Sequence, residues 1–429
     1  MNAAAGNVFP KLPLLTVRED ALSANAIQAW WNAQSRWVKA ACAAWVGLLL
    51  FFSVRVLINP VSKTVYPIYS ASGTFWIDGI DLYAPDRPES AQGGYRYSPT
   101  FAILCIPFAI LPDGIGGVLW RLFCSASLIG AIIWMARVAA IKPMESDPIA
   151  WLILLCLPLS IQSLSNGQAN ILIAATLVAS IPAVMEKRWN LVAVLVGVAF
   201  ACKVYPLALG LLLGVLYPKQ LGWRVPLAVV VTLLLPFALQ RPDYVIEQYA
   251  EWFAVLRRDN RSAIVLDQAY RDLWLLIRLY GLPLTWPMYV GIQLASAIGV
   301  AFLCWRRQRT GWSQEQLLTS TLALAAAWMM LLGPTTESCS FILMAPSLSW
   351  SIVEVLRSGA SKSRVGLLAG CCACFIIAAG MASVHRLINI HAFGAHSWAC
   401  VFYFGFLLTE RRATAEIAVA PELERRLAA

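Results

Sequence analysis

PVSKTVYPIYSASGTFWIDGIDLYAPDRPESAQGGYRYSPTFAILCIPFAILP, residues 60 to 112, decides how the rest of the chain folds. One hydrophobic run precedes this stretch, and hydrophobic runs follow it almost to the end of the chain. Its middle gathers Asp78, Asp81, Asp86 and Glu89 with Trp76, Tyr83, Tyr95, Arg96 and Tyr97. Its last part, Ser98–Leu111, is apolar but short. A helix needs about 20 apolar residues to cross a bilayer, so this segment reads as an interfacial or re-entrant helix and not a span. If it does not cross, the next run, Gly116–Ala136, brings Arg137 and Lys142 to the cytoplasm, as the bias of short basic links requires.

The composition agrees with a membrane reading. Hydrophobic residues make up 59% of the chain and charged ones 13%, against about a quarter charged in soluble domains. The net charge of +10 comes largely from short links between apolar runs, which is the positive-inside pattern and not a nucleic-acid footprint. No P-loop or glycine-rich dinucleotide turn is present. The 11 cysteines lie in or beside apolar runs. Cys371, Cys372 and Cys374 read as small packing residues, and no metal-ligand spacing or disulfide framework is legible.

Outward from the decisive stretch, residues 1–39 form a cytoplasmic N-terminal arm, 40–410 a transmembrane domain and 411–429 a cytoplasmic tail. The first span is Ala40–Ile58. Pro148–Leu164 and Ile171–Met185 meet at Ser165-Asn166-Gly167-Gln168-Ala169-Asn170, with Glu186-Lys187-Arg188 following on the cytoplasmic side. Trp189–Tyr217 is interrupted at Cys202-Lys203-Val204-Tyr205-Pro206. Two short spans meeting at Lys203 satisfy the charge bias better than one long kinked helix, which would leave Arg137, Lys142, Lys187 and Arg188 outside. Gly222–Leu239 leads to a second polar loop that holds one or two surface helices. Trp286–Trp305, Gln316–Leu332, Phe341–Val355, Val365–Ala382 and Ser397–Leu408 complete an all-α polytopic membrane protein of about twelve spans. Its outer loops are 59–115 and 241–285. No internal repeat is legible, which weakens a transporter or flippase reading.

This topology puts the unusual polar residues on one side: the 59–115 loop, the Asn166–Asn170 turn, Lys203, the second loop, Glu337, and His385, His391 and His396. An outward site without a nucleotide-binding signature suits a membrane-borne activated sugar. Such a transfer needs a carboxylate to deprotonate the acceptor hydroxyl and cations to hold the departing phosphate. The candidate bases are Asp81 and Glu337, with Asp78 behind them. The candidate phosphate holders are Lys203, Arg121, Arg271 and Arg386. The candidate sugar and acceptor contacts are Tyr83, Tyr95, Tyr97, Trp76, Asn166, Gln168 and Asn170. Each has a bland counterpart: a turn at Gly79-Ile80-Asp81, a snorkelling Lys203, a lipid-paired Arg121, an exposed Glu337 and interfacial histidines. No cofactor or metal is expected.

Several of these motifs together resemble a known family. Tyr66-Pro67-Ile68-Tyr69, Gly73, Trp76, Gly79-Ile80-Asp81-Leu82-Tyr83, Tyr95-Arg96-Tyr97-Ser98-Pro99, Pro107 and Leu111-Pro112 look like the first outer loop of glycosyltransferase family 87. Asn166-Gly167-Gln168-Ala169-Asn170 and Lys203-Val204-Tyr205-Pro206 resemble two later motifs of that family. The resemblance implies a GT-C-like membrane fold with outer-loop helices, including a non-spanning helix after the first loop. It also implies a polyprenyl-phosphate-mannose donor, a lipid-linked or cell-envelope glycan acceptor, inverting transfer, and a bacterial plasma membrane with the site outside. Two positions depart from the family pattern. Lys63-Thr64-Val65 stands where the family places an aspartate ahead of the tyrosines, and Thr335-Thr336-Glu337-Ser338 stands where a histidine is frequent. The base is thereby left to Asp81 or Glu337. A non-catalytic envelope scaffold is the further alternative.

Overall fold

The structure is a computed structural model that describes residues 28, 31–84, 94–141, 147–258, 262, 264–334, 336–383 and 393–411. The expectations for His385, Arg386, His391 and Lys142, and for most of the two terminal segments, fall outside those residues. Every regular element among the described residues is a helix. In chain order they are α1 (Arg36–Ile58), α2 (Tyr66–Asp78), α3 (Pro99–Ala109), α4 (Asp113–Val138), α5 (Pro148–Asn166), α6 (Asn170–Met185), α7 (Trp189–Cys202), α8 (Leu207–Leu216) and α9 (Pro218–Leu221). Then come α10 (Arg224–Leu234), α11 (Pro242–Arg258), α12 (Leu273–Leu279), α13 (Trp286–Arg309), α14 (Gln314–Leu332), α15 (Ala345–Ser358), α16 (Lys362–Ser383) and α17 (Ala395–Leu408).

Among the described residues, seven helical stretches are long and apolar enough to cross a membrane: α1, α4, α5, the run Pro218–Ala238, α13, α14 and α16. The protein is an integral membrane protein. Twelve full-length crossings are not what the helix lengths give, because the remaining apolar helices are short. Helix α7 has 14 residues and α8 has 10, which is about 21 and 15 Å at the α-helical rise, against a hydrocarbon core of roughly 30 Å.

The non-spanning segment is built as its sequence requires. Ser98 caps α3, its Oγ accepting from the Phe101 amide at 3.3 Å, and Pro99 follows at the first helical position, where no amide is needed. The helix stops after 11 residues. It packs along α2, where Tyr66 Oη donates to the Phe108 carbonyl at 3.0 Å. Gly116 lets α4 come this close, since a Cβ there would collide with the Tyr66 hydroxyl and the Phe108 carbonyl.

The break at Lys203 is a reversal and not a kink. Trp189, at the start of α7, packs against Tyr217, just beyond the end of α8, with centroids 5.3 Å apart. Midway, Val196 of α7 lies against Gly210 of α8. The two helices therefore run antiparallel and meet at residues 203–206.

Helices α6 and α14 are buried on nearly every side and form the centre of the bundle. Lipid chains are as apolar as Leu side chains, so such helices associate through close packing between small residues. Ala174, Ala175, Ala323, Ala325, Ala326 and Ala327 supply those surfaces.

The other end of the bundle is basic and separately tied. Arg307 pairs with Glu410 at 3.0 Å and donates to the Leu407 carbonyl, joining α13 to the end of α17. Gln308 donates to the Leu216 carbonyl at 3.0 Å. The second polar loop contains the amphipathic α11, a 3-10 turn and α12.

Short links at the far end carry Lys187, Arg188, Lys219 and Arg224, so that end is expected to be cytoplasmic. On a cysteine-free background, a membrane-impermeant thiol reagent applied to intact cells should label Asn166→Cys and leave Lys187→Cys unmodified. The reverse pattern would invert the topology.

Candidate functional site

The polar connections at the opposite end enclose a pocket of about 530 Å³, within the range of small-molecule sites. Tyr69 and Tyr97 form one wall, with Gln168 beside them. Lys203, Val204 and Tyr205 form the facing wall. Trp252 and Leu256 of α11 close one side, and Tyr270, Pro334 and Glu337 the other.

The turn that presents Gln168 depends on a buried cation. Arg121 of α4 is 1% exposed. Its guanidinium donates to the Leu164 carbonyl at 2.7 Å, the Gly117 carbonyl at 2.9 Å, Thr64 Oγ1 at 2.9 Å and the Ser165 carbonyl at 3.1 Å. Arg55 adds a bond to Ser165 Oγ at 2.8 Å. Together they satisfy carbonyls that the end of α5 leaves orphaned, and they place positive charge at the negative end of that helix. Gly167 then turns the chain at φ +64, where a Cβ would strike the Arg121 guanidinium. The Asn166 carbonyl accepts from the Val65 amide at 2.8 Å and from Thr64 Oγ1 at 3.0 Å, fixing the 63–65 segment beside the turn.

A directional chain of hydrogen bonds runs from that turn to Glu337. The Ala169 amide donates to Tyr69 Oη at 3.4 Å, and the Tyr69 and Tyr97 hydroxyls are 2.5 Å apart. Tyr97 Oη donates to Gln168 Oε1 at 3.3 Å, and Gln168 Nε2 donates to Glu337 Oε2 at 3.5 Å. Tyr97 donates onward, so Tyr69 must donate to Tyr97. Every donor in the chain points toward the carboxylate, whose oxygens accept. Cys339 Sγ donates to the same oxygen at 3.2 Å and accepts from Asn170 Nδ2 at 3.6 Å. Arg271 is tied in through its amide, which donates to the Thr336 carbonyl at 2.7 Å. Burial lowers the Arg271 pKa, while Cys339 and Glu337 act to raise it.

Lys203 lines the same pocket as this carboxylate. Its ammonium lies 5.7 Å from the Tyr205 ring centre and 6.0 Å from that of Tyr97. Among the described residues it makes no hydrogen bond and no ion pair. Burial opposes its charge, yet the lining groups outweigh burial and hold its pKa above the ordinary lysine value. The groups that raise it are Tyr205, Tyr97, Glu337 and Cys339.

The family model of glycosyltransferase family 87 matches residues 95–334. That match covers more than half of the sequence and includes Tyr97, Gln168, Lys203 and Tyr205. The chain belongs to glycosyltransferase family 87. A polyprenol-phosphate-mannose-dependent alpha-(1-2)-phosphatidylinositol pentamannoside mannosyltransferase of Mycolicibacterium smegmatis is 23% identical over 274 residues, 63% of this chain and 63% of that protein. The protein of the same name from Mycobacterium tuberculosis is 25% identical over 292 residues, 66% of this chain and 63% of its own length. The chain thus matches less than two thirds of either relative. Among solved structures, ArnT from Cupriavidus metallidurans in the apo state is similar at 12% identity, covering 86% of this chain and 76% of that one, with a TM-score of 0.36.

Within this family member the sequence-based candidates separate. Glu337, Lys203, Gln168 and Tyr97 line the pocket together. Asp81 is not among its lining residues; its Oδ1 accepts from the Tyr83 amide at 2.9 Å in a local turn. Tyr83 and Tyr95 are buried behind Tyr97, donating to the Tyr97 carbonyl at 2.7 Å and the Ser98 carbonyl at 2.8 Å. They support the wall. Trp76 is buried against Tyr244. Arg121 serves the α5 terminus, Asn166 contributes its carbonyl to the 63–65 segment, and Asn170 lies behind the pocket with Cys339. His396 packs against Phe341.

Sequence reading passed over Arg96, Tyr205 and Trp252. The first two stand inside the quoted motifs, one between two tyrosines and one two residues after Lys203, so their proximity to chosen residues was the available signal. Trp252 had none.

Replacing Arg121 by Leu should remove the four hydrogen bonds of the buried guanidinium and its charge at the end of α5. The expected loss is about 3 kcal/mol or more of stability, read as a lower thermal midpoint in detergent. A variant with unchanged stability but weakened donor binding would return Arg121 to the phosphate.

Proposed function

We propose that the protein is a membrane glycosyltransferase that moves a hexosyl group, mannose being the first candidate, from a polyprenyl phosphate to a glycolipid or cell-envelope glycan. The transfer takes place on the extracytoplasmic face of a bacterial plasma membrane. One observation carries this reading: Lys203 and Glu337 line the same pocket with opposite charges and no ion pair between them. A cation and a carboxylate held apart leave room for a reacting centre, with the leaving phosphate near one and the attacking hydroxyl near the other.

In the proposed reaction, Glu337 takes the acceptor hydroxyl proton as that oxygen attacks the anomeric carbon. The bond from that carbon to the phosphate oxygen breaks, and its electron pair leaves on the polyprenyl phosphate. The Lys203 ammonium, with Arg96 at the pocket rim, stabilises the phosphate's growing charge. The chain through Tyr69, Tyr97 and Gln168 holds the carboxylate in position. Family membership and the names of the two mycobacterial relatives support the donor class. The apolar wall of Val65, Ile68 and Val204 suits a lipid-borne donor.

The experiment is single-turnover transfer from radiolabelled polyprenyl-phosphate mannose by purified protein in membranes. Glu337→Gln should slow the chemical step by about 10²–10⁴-fold, and Lys203→Gln should weaken donor use. Asp81→Asn should react at close to the normal rate, since its oxygen serves a turn that Asn also forms. A folded Glu337→Gln variant with normal turnover would remove Glu337 as the base.

A further inference from the structure

Seven tyrosines in and around the pocket have hydrogen-bonded hydroxyls. Tyr66, Tyr83, Tyr95, Tyr244 and Tyr249 each donate to a backbone carbonyl, and Tyr69 and Tyr97 bond to each other. Tyr205 lines the pocket and is 9% exposed, yet among the described residues its buried hydroxyl has no hydrogen-bond partner. Ser340 is its near neighbour and acts on it electrostatically; Ser340 Oγ accepts from the Glu337 amide at 3.3 Å and is not in hydrogen-bond geometry with Tyr205. Burying a hydroxyl without a partner is unfavourable, and Phe would fill the same space without that penalty.

The setting defines what the hydroxyl meets. The Lys203 ammonium lies 5.7 Å from the Tyr205 ring centre, and Glu337, Cys339 and Ser340 are within electrostatic reach of the hydroxyl. The hydroxyl therefore shares the pocket with the cation assigned to the phosphate and the carboxylate assigned to the acceptor. A transferred sugar ring must sit among these groups.

We propose that the Tyr205 hydroxyl is a sugar-recognition group that hydrogen-bonds one hydroxyl of the transferred hexose, seated between Lys203 and Glu337. This rests on the glycosyltransferase reading and adds a specificity determinant to it. Sites built to hydrogen-bond a substrate hydroxyl discriminate strongly against analogues that lack it, because the site's own group is then left unpaired.

The test compares wild type and Tyr205→Phe on polyprenyl-phosphate mannose and on analogues that each lack one ring hydroxyl. In the wild type, one analogue should lose roughly 10- to 100-fold in kcat/KM relative to the parent. In Tyr205→Phe the parent should fall to the level of that analogue, and the difference between the two should vanish. The thermal midpoint of the ligand-free variant should equal or exceed that of the wild type. An unchanged discrimination pattern, or a lowered midpoint that reveals a structural partner for the hydroxyl, would overturn the assignment while leaving the glycosyltransferase reading intact. A wild type that transfers from no polyprenyl-phosphate hexose would overturn both.

Discussion

The geometry of the pocket depends on how the end of α5 is satisfied. A helix that ends inside a membrane protein leaves carbonyls that water cannot reach, and each must find a donor. Arg121 supplies donors to the Leu164 and Ser165 carbonyls from a neighbouring helix, and Arg55 supplies another to Ser165 from α1. Because the guanidinium also holds Thr64, one cation fixes both the Asn166–Asn170 turn and the 63–65 segment. Gln168 inherits its position from the first and Val65 from the second. The hydrogen-bond chain that ends at Glu337 begins from this fixed turn.

The 63–65 segment also shows how this family member differs from the expected pattern. Where the family places an acid ahead of the tyrosines, this chain presents Val65 to the pocket and gives the Thr64 hydroxyl to Arg121 and Asn166. Among the described lining residues Glu337 is the sole carboxylate. It arrives from the connection after α14, on the opposite wall, and its own shell of Gln168 and Cys339 donors replaces whatever support the first loop would have given.

Much of the architecture was legible because bilayer thickness and charge bias constrain it from outside the protein. The shortness of Ser98–Leu111, the reversal at Lys203 and the gathering of polar connections at one end all follow from apolar run length and the placement of Lys and Arg. The roles of individual polar residues were less legible, because a scaffold and a site use the same residue types. Tyr83, Tyr95 and Tyr97 look alike in sequence, yet two are buried behind the third, and only packing assigns the order. Arg121 and Lys203 both interrupt apolar runs. One is saturated by three carbonyls and the Thr64 hydroxyl, four to fifty-seven positions away, and the other lines the pocket. Such separations carry no local signal.

The brevity of α7 and α8 has a consequence for membrane depth. Two helices of about 21 and 15 Å that start from the basic end do not reach the far boundary of a hydrocarbon core roughly 30 Å thick. Their junction at residues 203–206 is therefore recessed below the headgroup level, or the bilayer thins around it. Non-helical backbone at such depth is tolerated where it borders a cavity, and these residues do border one. A phosphate carried on a lipid can approach Lys203 by sideways diffusion within its own leaflet, whereas a water-borne one would have to leave the aqueous phase. In the proposed reaction, the hydrophobic mismatch of one hairpin thus acts as a filter on the physical phase from which the donor comes.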